Sequence, residues 1–162
     1  MLDMIGGRLS PEKEAYFSRM NGRNYRITSE ETAVYNCIAY AAHDADAWWW
    51  PVEGIPGVHW PEGVPCEETV EAFLAAYATL GFKPCADATH ELGIEKIALY
   101  CDELGTPTHA ARQLASGRWT SKLGEWEDIE HHAPDVLESQ SPDELGYGIV
   151  TTFLSRSLAL VG

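Results

Sequence analysis

The sequence predicts an α+β fold in which N-terminal helices pack on a small C-terminal antiparallel sheet. Two observations carry that expectation. Apolar residues recur at helical spacing in the first half of the chain, over Cys37–Trp49 and again over Cys66–Leu80. The second half holds short runs rich in β-branched and aromatic residues, bounded by Gly, Pro and Asp, as strands are. Helices first and strands second is the chain order of an α+β domain. The 162 residues suffice for one domain with its own core. We divide the chain into a helical extension over 1–23 and a core over 24–156.

Taken in order, Ser10-Pro11-Glu12 reads as a helix cap, a first helical residue and an acidic first turn. A short helix toward Met20 follows, stopped at Asn21-Gly22, where glycine is free to take the left-handed cap. Residues 23–28 are a polar connector with room for a short extended piece, and Ser29–Thr32 adds a helical turn. Asn36 is a preferred cap residue, so the next helix begins at Cys37. Ile38, Ala41, Ala42, Ala45, Trp48 and Trp49 form its buried stripe, and Pro51 ends it. Pro51–Pro65 is rich in Gly and Pro and reads as a loop. Trp50, which leads into it, and Trp60 within it line a substrate groove or, in the blander reading, staple the loop to the core.

Cys66-Glu67-Glu68 opens another helix, with Val70, Phe73, Leu74, Tyr77 and Leu80 on one face and Gly81 as its cap. Phe82–Cys85 begins the β part. Ile94–Cys101, Thr108–Leu114, Arg118–Leu123 and Tyr147–Leu154 read as strands, with Ser116-Gly117 as a tight hairpin turn. Glu125–His132 is a polar insertion, and Ser141–Leu145 a capped helical turn.

The net charge of -14, from 25 acidic and 11 basic residues, disfavours nucleic acid and anionic membrane as partners and allows a basic protein. The four cysteines form no C-x-x-C pair, which argues for reduced thiols in a cytoplasmic protein. No secretion signal or bilayer-length apolar run is visible, which leaves only a signal-independent route for export. No glycine-rich phosphate loop is present, and no cofactor is expected. His131-His132 with Asp128 is a poor metal set, because adjacent side chains diverge.

The chemistry-bearing residue is Cys37. In the first turn of a helix, the dipole and unpaired backbone N–H groups favour the nucleophilic thiolate. The bland alternative is a small buried hydrophobe. His109, near the start of its strand, is the candidate base. With Ser116-Gly117 as the two turn residues, Ala111 pairs with Lys122, and Lys122 lies diagonally beside His109. A slip of one residue places Ser121 there instead. Either way, Trp119-Thr120-Ser121-Lys122 runs beside the histidine and offers a side chain to orient the imidazole.

Tyr35-Asn36-Cys37, then His109, then Gly117-Arg118-Trp119-Thr120-Ser121-Lys122-Leu123-Gly124 resembles a group of uncharacterised bacterial proteins. Those share a Tyr-Asn-Cys helix, a histidine and a Gly-x-Trp-x-Ser-Lys-x-Gly segment. The arrangement is also similar to the papain-like superfamily, above all its compact NlpC-type branch. There the nucleophilic cysteine opens a helix and the histidine comes from the following sheet. The resemblance implies a papain-like core, with Cys37 as nucleophile and His109 as base. Two departures stand out. Ser29 and Glu31 occupy the region of the papain-type glutamine, and the asparagine-tryptophan pair after the histidine is missing.

The expected function is a cysteine hydrolase or acyl-transfer enzyme (a peptidase, amidase or deamidase) acting on a peptide or protein amide. Asn36 would cap the helix beside an oxyanion site formed by the Cys37 N–H. Trp119, Ser121, Lys122, Trp50 and Trp60 are candidates for orienting the base or binding substrate. The alternative is an inactive binding or immunity-type protein whose acidic surface meets a basic partner.

Overall fold

In the computed structural model the described residues are 5–158. They form α1 (Pro11–Glu14), β1 (Tyr25–Ser29), α2 (Cys37–Ala41), β2 (Trp48–Trp49), β3 (Val58–His59) and α3 (Val70–Ala78). The remainder is β4 (Lys83–Cys85), β5 (Ile94–Cys101), β6 (Pro107–Gln113), β7 (Trp119–Lys122), β8 (Asp128–His131), a 3-10 turn (Pro134–Leu137) and β9 (Ile149–Ser157).

The expected architecture is overturned. Instead of N-terminal helices on a small C-terminal sheet, the chain builds one seven-stranded sheet in the order β1-β8-β7-β6-β5-β9-β4. Every pairing in it is antiparallel. Only three short α-helices accompany it among the described residues, of 4, 5 and 9 residues. The sheet also recruits the N-terminal half: β1 pairs with β8, Tyr25 opposite His131.

The helix expected over Cys37–Trp49 stops after five residues. His43 takes a left-handed conformation, φ 63°. The His43 N–H bonds the Tyr40 carbonyl at 3.0 Å, and the Asp44 N–H bonds the Ala39 carbonyl at 2.9 Å. That is the Schellman stop, built here on histidine where glycine is usual. Asp44 then accepts from the Asp46 N–H and from the Trp49 indole. The chain is thereby turned so that Trp48-Trp49 pairs in parallel with Val58-His59. The helix expected from Cys66 begins later, at Val70, because Thr69 supplies the cap by accepting from the Ala72 N–H.

Apolar layers cover both faces of the sheet. Ile97 and Leu99 of β5 face α2 and α3, with Ala110, Phe73, Tyr77 and Leu154. Ala98 and Tyr100 face the opposite layer, with Ala111, Trp119, Ile129 and the N-terminal Leu9, Phe17 and Met20. This strict alternation along β5 is the two-residue period of a strand. Burial on both faces explains why β5 is continuously apolar from Ile97 to Cys101. No helix among the described residues is long and apolar enough to cross a membrane.

Candidate active site

Asn36 fixes the start of α2. Its side-chain oxygen accepts from the Ala39 N–H at 3.1 Å and from the Trp49 N–H at 3.0 Å. Its amide group donates to the Trp49 carbonyl at 2.8 Å. Both acceptor sites of the carboxamide oxygen and one of its two N–H groups are thus spent on capping and on tying α2 to β2. Cys37 follows in the first turn, buried at 6% exposure. Its Sγ lies 4.0 Å from the Thr108 carbonyl oxygen.

The sequence leads one to expect a depressed thiol pKa, and the structure gives the opposite. Burial pushes the Cys37 thiol up to about 11, because the thiolate loses its hydration. The backbone N–H groups of Ala110, Ile38 and Cys37 and the charge of Lys122 offset only part of that rise. A five-residue helix aligns too few peptide dipoles to reverse the balance.

His109 sits beside a bulge in β6. Tyr100 pairs with His109 and Cys101 with Pro107, which leaves Thr108 as the extra residue. The β6–β7 register is the slipped one: Arg112 opposes Thr120 and Gln113 opposes Trp119. Ser121 therefore lies diagonally beside His109, and Lys122 faces the other layer. The His109 Nε2 is 3.0 Å from the Ser121 Oγ. Ser121 Oγ is in turn 2.8 Å from the Nε2 of His131, whose Nδ1 meets the Ala133 carbonyl at 2.9 Å.

This three-residue chain has one consistent set of protons. A carbonyl only accepts, so the His131 Nδ1 carries a hydrogen. In the neutral ring the His131 Nε2 is then an acceptor, filled by the Ser121 hydroxyl. Ser121 has no second proton to give, so the His109 Nε2–H donates to it. The lone pair of His109 is left on Nδ1, which is buried and has no hydrogen-bond partner among the described residues. Burial keeps both rings neutral. It holds the His109 pKa well below the usual histidine range, with His131 adding to the effect. His131 is lowered to about 4, again chiefly by burial.

The thiol and the imidazole approach from the two sides of β6. Cys37 belongs to the layer of Ala110, while His109 packs with Tyr100 and Tyr147 in the other. They meet at the strand backbone, where Sγ lies against the residues before and after His109. No hydrogen bond joins Sγ to the ring. Tyr147 stacks flat on the imidazole, with centroids 4.0 Å apart and planes 6° from parallel. Thr108 Oγ1 anchors that cover by donating to the Tyr147 carbonyl at 2.5 Å. Beside it a cleft of about 170 Å³ is lined by Asp102, Thr108, Ser139, Glu144 and Tyr147 among others.

The remaining candidates serve packing. Trp50 and Trp60 both press on Phe73 of α3, at 5.4 and 5.1 Å, and Trp60 also donates to the Pro65 carbonyl. Trp119 is core, beside Phe153. Lys122 is buried under the Tyr35 ring, donates to the Trp126 carbonyl and lies 4.0 Å from Asp128. Burial lowers its pKa, against the nearby carboxylates that raise it. His131 is the residue that sequence reasoning missed. The turn glycine Gly124, φ 62°, was the available sign that Glu125–His132 returns as a strand. Both ring nitrogens of His131 are engaged in hydrogen bonds, and no metal-binding group of three side chains occurs among the described residues.

Residues 26–155 match the family model described as a domain of unknown function (DUF7689), and the chain belongs to that family. No curated protein and no solved structure matches the chain.

Proposed function

We propose that this DUF7689 domain is a thiol hydrolase or acyl-transfer enzyme acting on an amide, with Cys37 as nucleophile and His109 as base. The observation that supports it is the free, buried Nδ1 lone pair of His109, oriented by Ser121, on the strand whose neighbouring residues Thr108 and Ala110 contact the Cys37 thiol. In the resting state both groups are neutral. A substrate that displaces Tyr147 would bring its carbonyl carbon to Sγ. Because Sγ and the ring lie on the two sides of β6, the thiol proton reaches Nδ1 by way of a water admitted with the substrate as the C–S bond forms, and the Cys37 N–H donates to the oxyanion. The Nδ1 proton then leaves with the amine, giving a thioester. Water, deprotonated by Nδ1, releases the acid and restores the thiol. Peptide bonds, glutamine side chains and other amides all fit this sequence of steps. We place the protein in the cytoplasm, where its four free thiols stay reduced, with signal-independent export compatible with the same chemistry.

One observation favours a second reading, a non-catalytic protein that meets a basic partner through its acidic surface. The Cys37 thiol is buried and its pKa is raised, as in a structural cysteine. A peptidyl vinyl sulfone panel, read by mass spectrometry, separates the two. The enzyme forms an adduct at Cys37 that is lost in His109→Ala. Labelling confined to exposed Cys66 across the panel supports the binding protein instead.

A further inference from the structure

We propose that His131 is a positioning residue that fixes the tautomer of His109 through Ser121, and so decides which imidazole nitrogen is free to act as base. The proposal rests on the Cys37–His109 reading for its functional meaning, but it concerns a property of the fold that can be measured without any substrate. The direction of the proton chain is set at its far end. Only the Ala133 carbonyl, with no proton to offer, makes one orientation obligatory. A reversed His131 would set the Nδ1 lone pair against the carbonyl oxygen at 2.9 Å and leave a buried acceptor unfilled.

The setting spans three adjacent strands. His109 is on β6, Ser121 on β7 and His131 on β8, each side chain in the layer away from α2. His131 is itself clamped by pairing on both sides, with Tyr25 of β1 and Trp119 of β7. All three side chains are fully buried. Bulk water is therefore excluded as a competing partner that would blur the tautomer, as it does for an exposed histidine. Without His131 the Ser121 hydroxyl is released to donate to the His109 Nε2. That reversal moves the hydrogen to Nδ1 and removes the lone pair that the thiol requires. Ser121 alone is symmetric as donor and acceptor, so it transmits the choice but does not make it.

The test is two-bond ¹H–¹⁵N correlation of the imidazoles in the full chain. The wild type should show His109 with a protonated Nε2 and an unprotonated Nδ1. His131→Gln keeps one acceptor and one donor and should preserve that pattern. His131→Phe and Ser121→Ala each cut the chain and should give a mixed or reversed His109. The smaller Ser121→Ala change decides the matter where His131→Phe does not fold. A wild-type His109 protonated at Nδ1, or an unaltered tautomer in the cut variants, overturns the proposal. A vinyl sulfone adduct at Cys37 that forms equally fast in His109→Ala would sink the hydrolase reading alone, leaving the tautomer result to stand or fall by itself.

Discussion

His131 carries a cost that pH should expose. Its imidazole is fully buried and its pKa is depressed from 6.5 to about 4. The unfolded chain therefore takes up the proton first as the pH falls. Above about 6.5 neither state is protonated and nothing is lost. Between 6.5 and about 4 stability declines, reaching roughly 3 kcal/mol for this one ring at 1.36 kcal/mol per pKa unit. His109 acts with the same sign. Denaturant unfolding across that window should show a steep loss in the wild type and a loss smaller by about 3 kcal/mol in His131→Gln. Parallel curves would mean that His131 is hydrated in solution. Single residues were also where the sequence spoke best and worst. Cys37, His109 and Ser121 stood out by type and position, but the sign of the Cys37 shift did not. Dipole and burial pull a thiol in opposite directions, and only three-dimensional packing says which is larger.

Among the elements, the cover over the imidazole invites a direct test. Tyr147 is flanked by Gly146 and Gly148, both at positive φ, and a Cβ on Gly148 would come within 2.0 Å of the Cys101 carbonyl oxygen. The backbone on either side of the ring is thus confined to glycine. Tyr147→Ala should cost about 2 kcal/mol from lost ring burial and stacking, and should raise the rate at which iodoacetamide labels Cys37 but not buried Cys101. An unchanged rate at Cys37 would show that Tyr147 does not control access. Elements were legible where one kind of residue marked them. The long strand β5 was visible by its apolar run Ile97–Cys101, and β6 by the proline at its start and the Ser116-Gly117 turn after it. β8 was not, because Asp128 and His131 are buried through polar partners, Tyr35 and Ser121, and leave no apolar alternation to read. The over-long α2 came from an alanine-rich stripe that ran through Asp44, whose side chain accepts turn-forming hydrogen bonds that outweighed helix propensity.

At the scale of the whole molecule, the sheet was underestimated because its membership is non-local. β1 and β8 are each short and polar, and neither looks like a strand until the other is beside it. Stability rests on the two apolar layers, with no cysteine pair and no metal cluster among the described residues. Reductant and chelator should accordingly leave Tm within about 1–2 °C of its starting value, read by circular dichroism. A fall of ten degrees with either would reveal a bond or ion that the fold conceals.

The β1–β8 pairing has a consequence for how the chain reaches this state. Tyr25 and His131 come from opposite ends of the sequence, so a very long loop must close before they meet. The hairpins β5–β6, β6–β7 and β7–β8 are local and can assemble soon after their residues leave the ribosome. β1 emerges early and must wait unpaired for β8. During that interval one flank of His131 is open to water, and the imidazole is free to hold a proton. Docking of β1 expels that water and, below about pH 6.5, the proton with it. The nascent chain thus finishes its sheet and buries its histidine in a single late event.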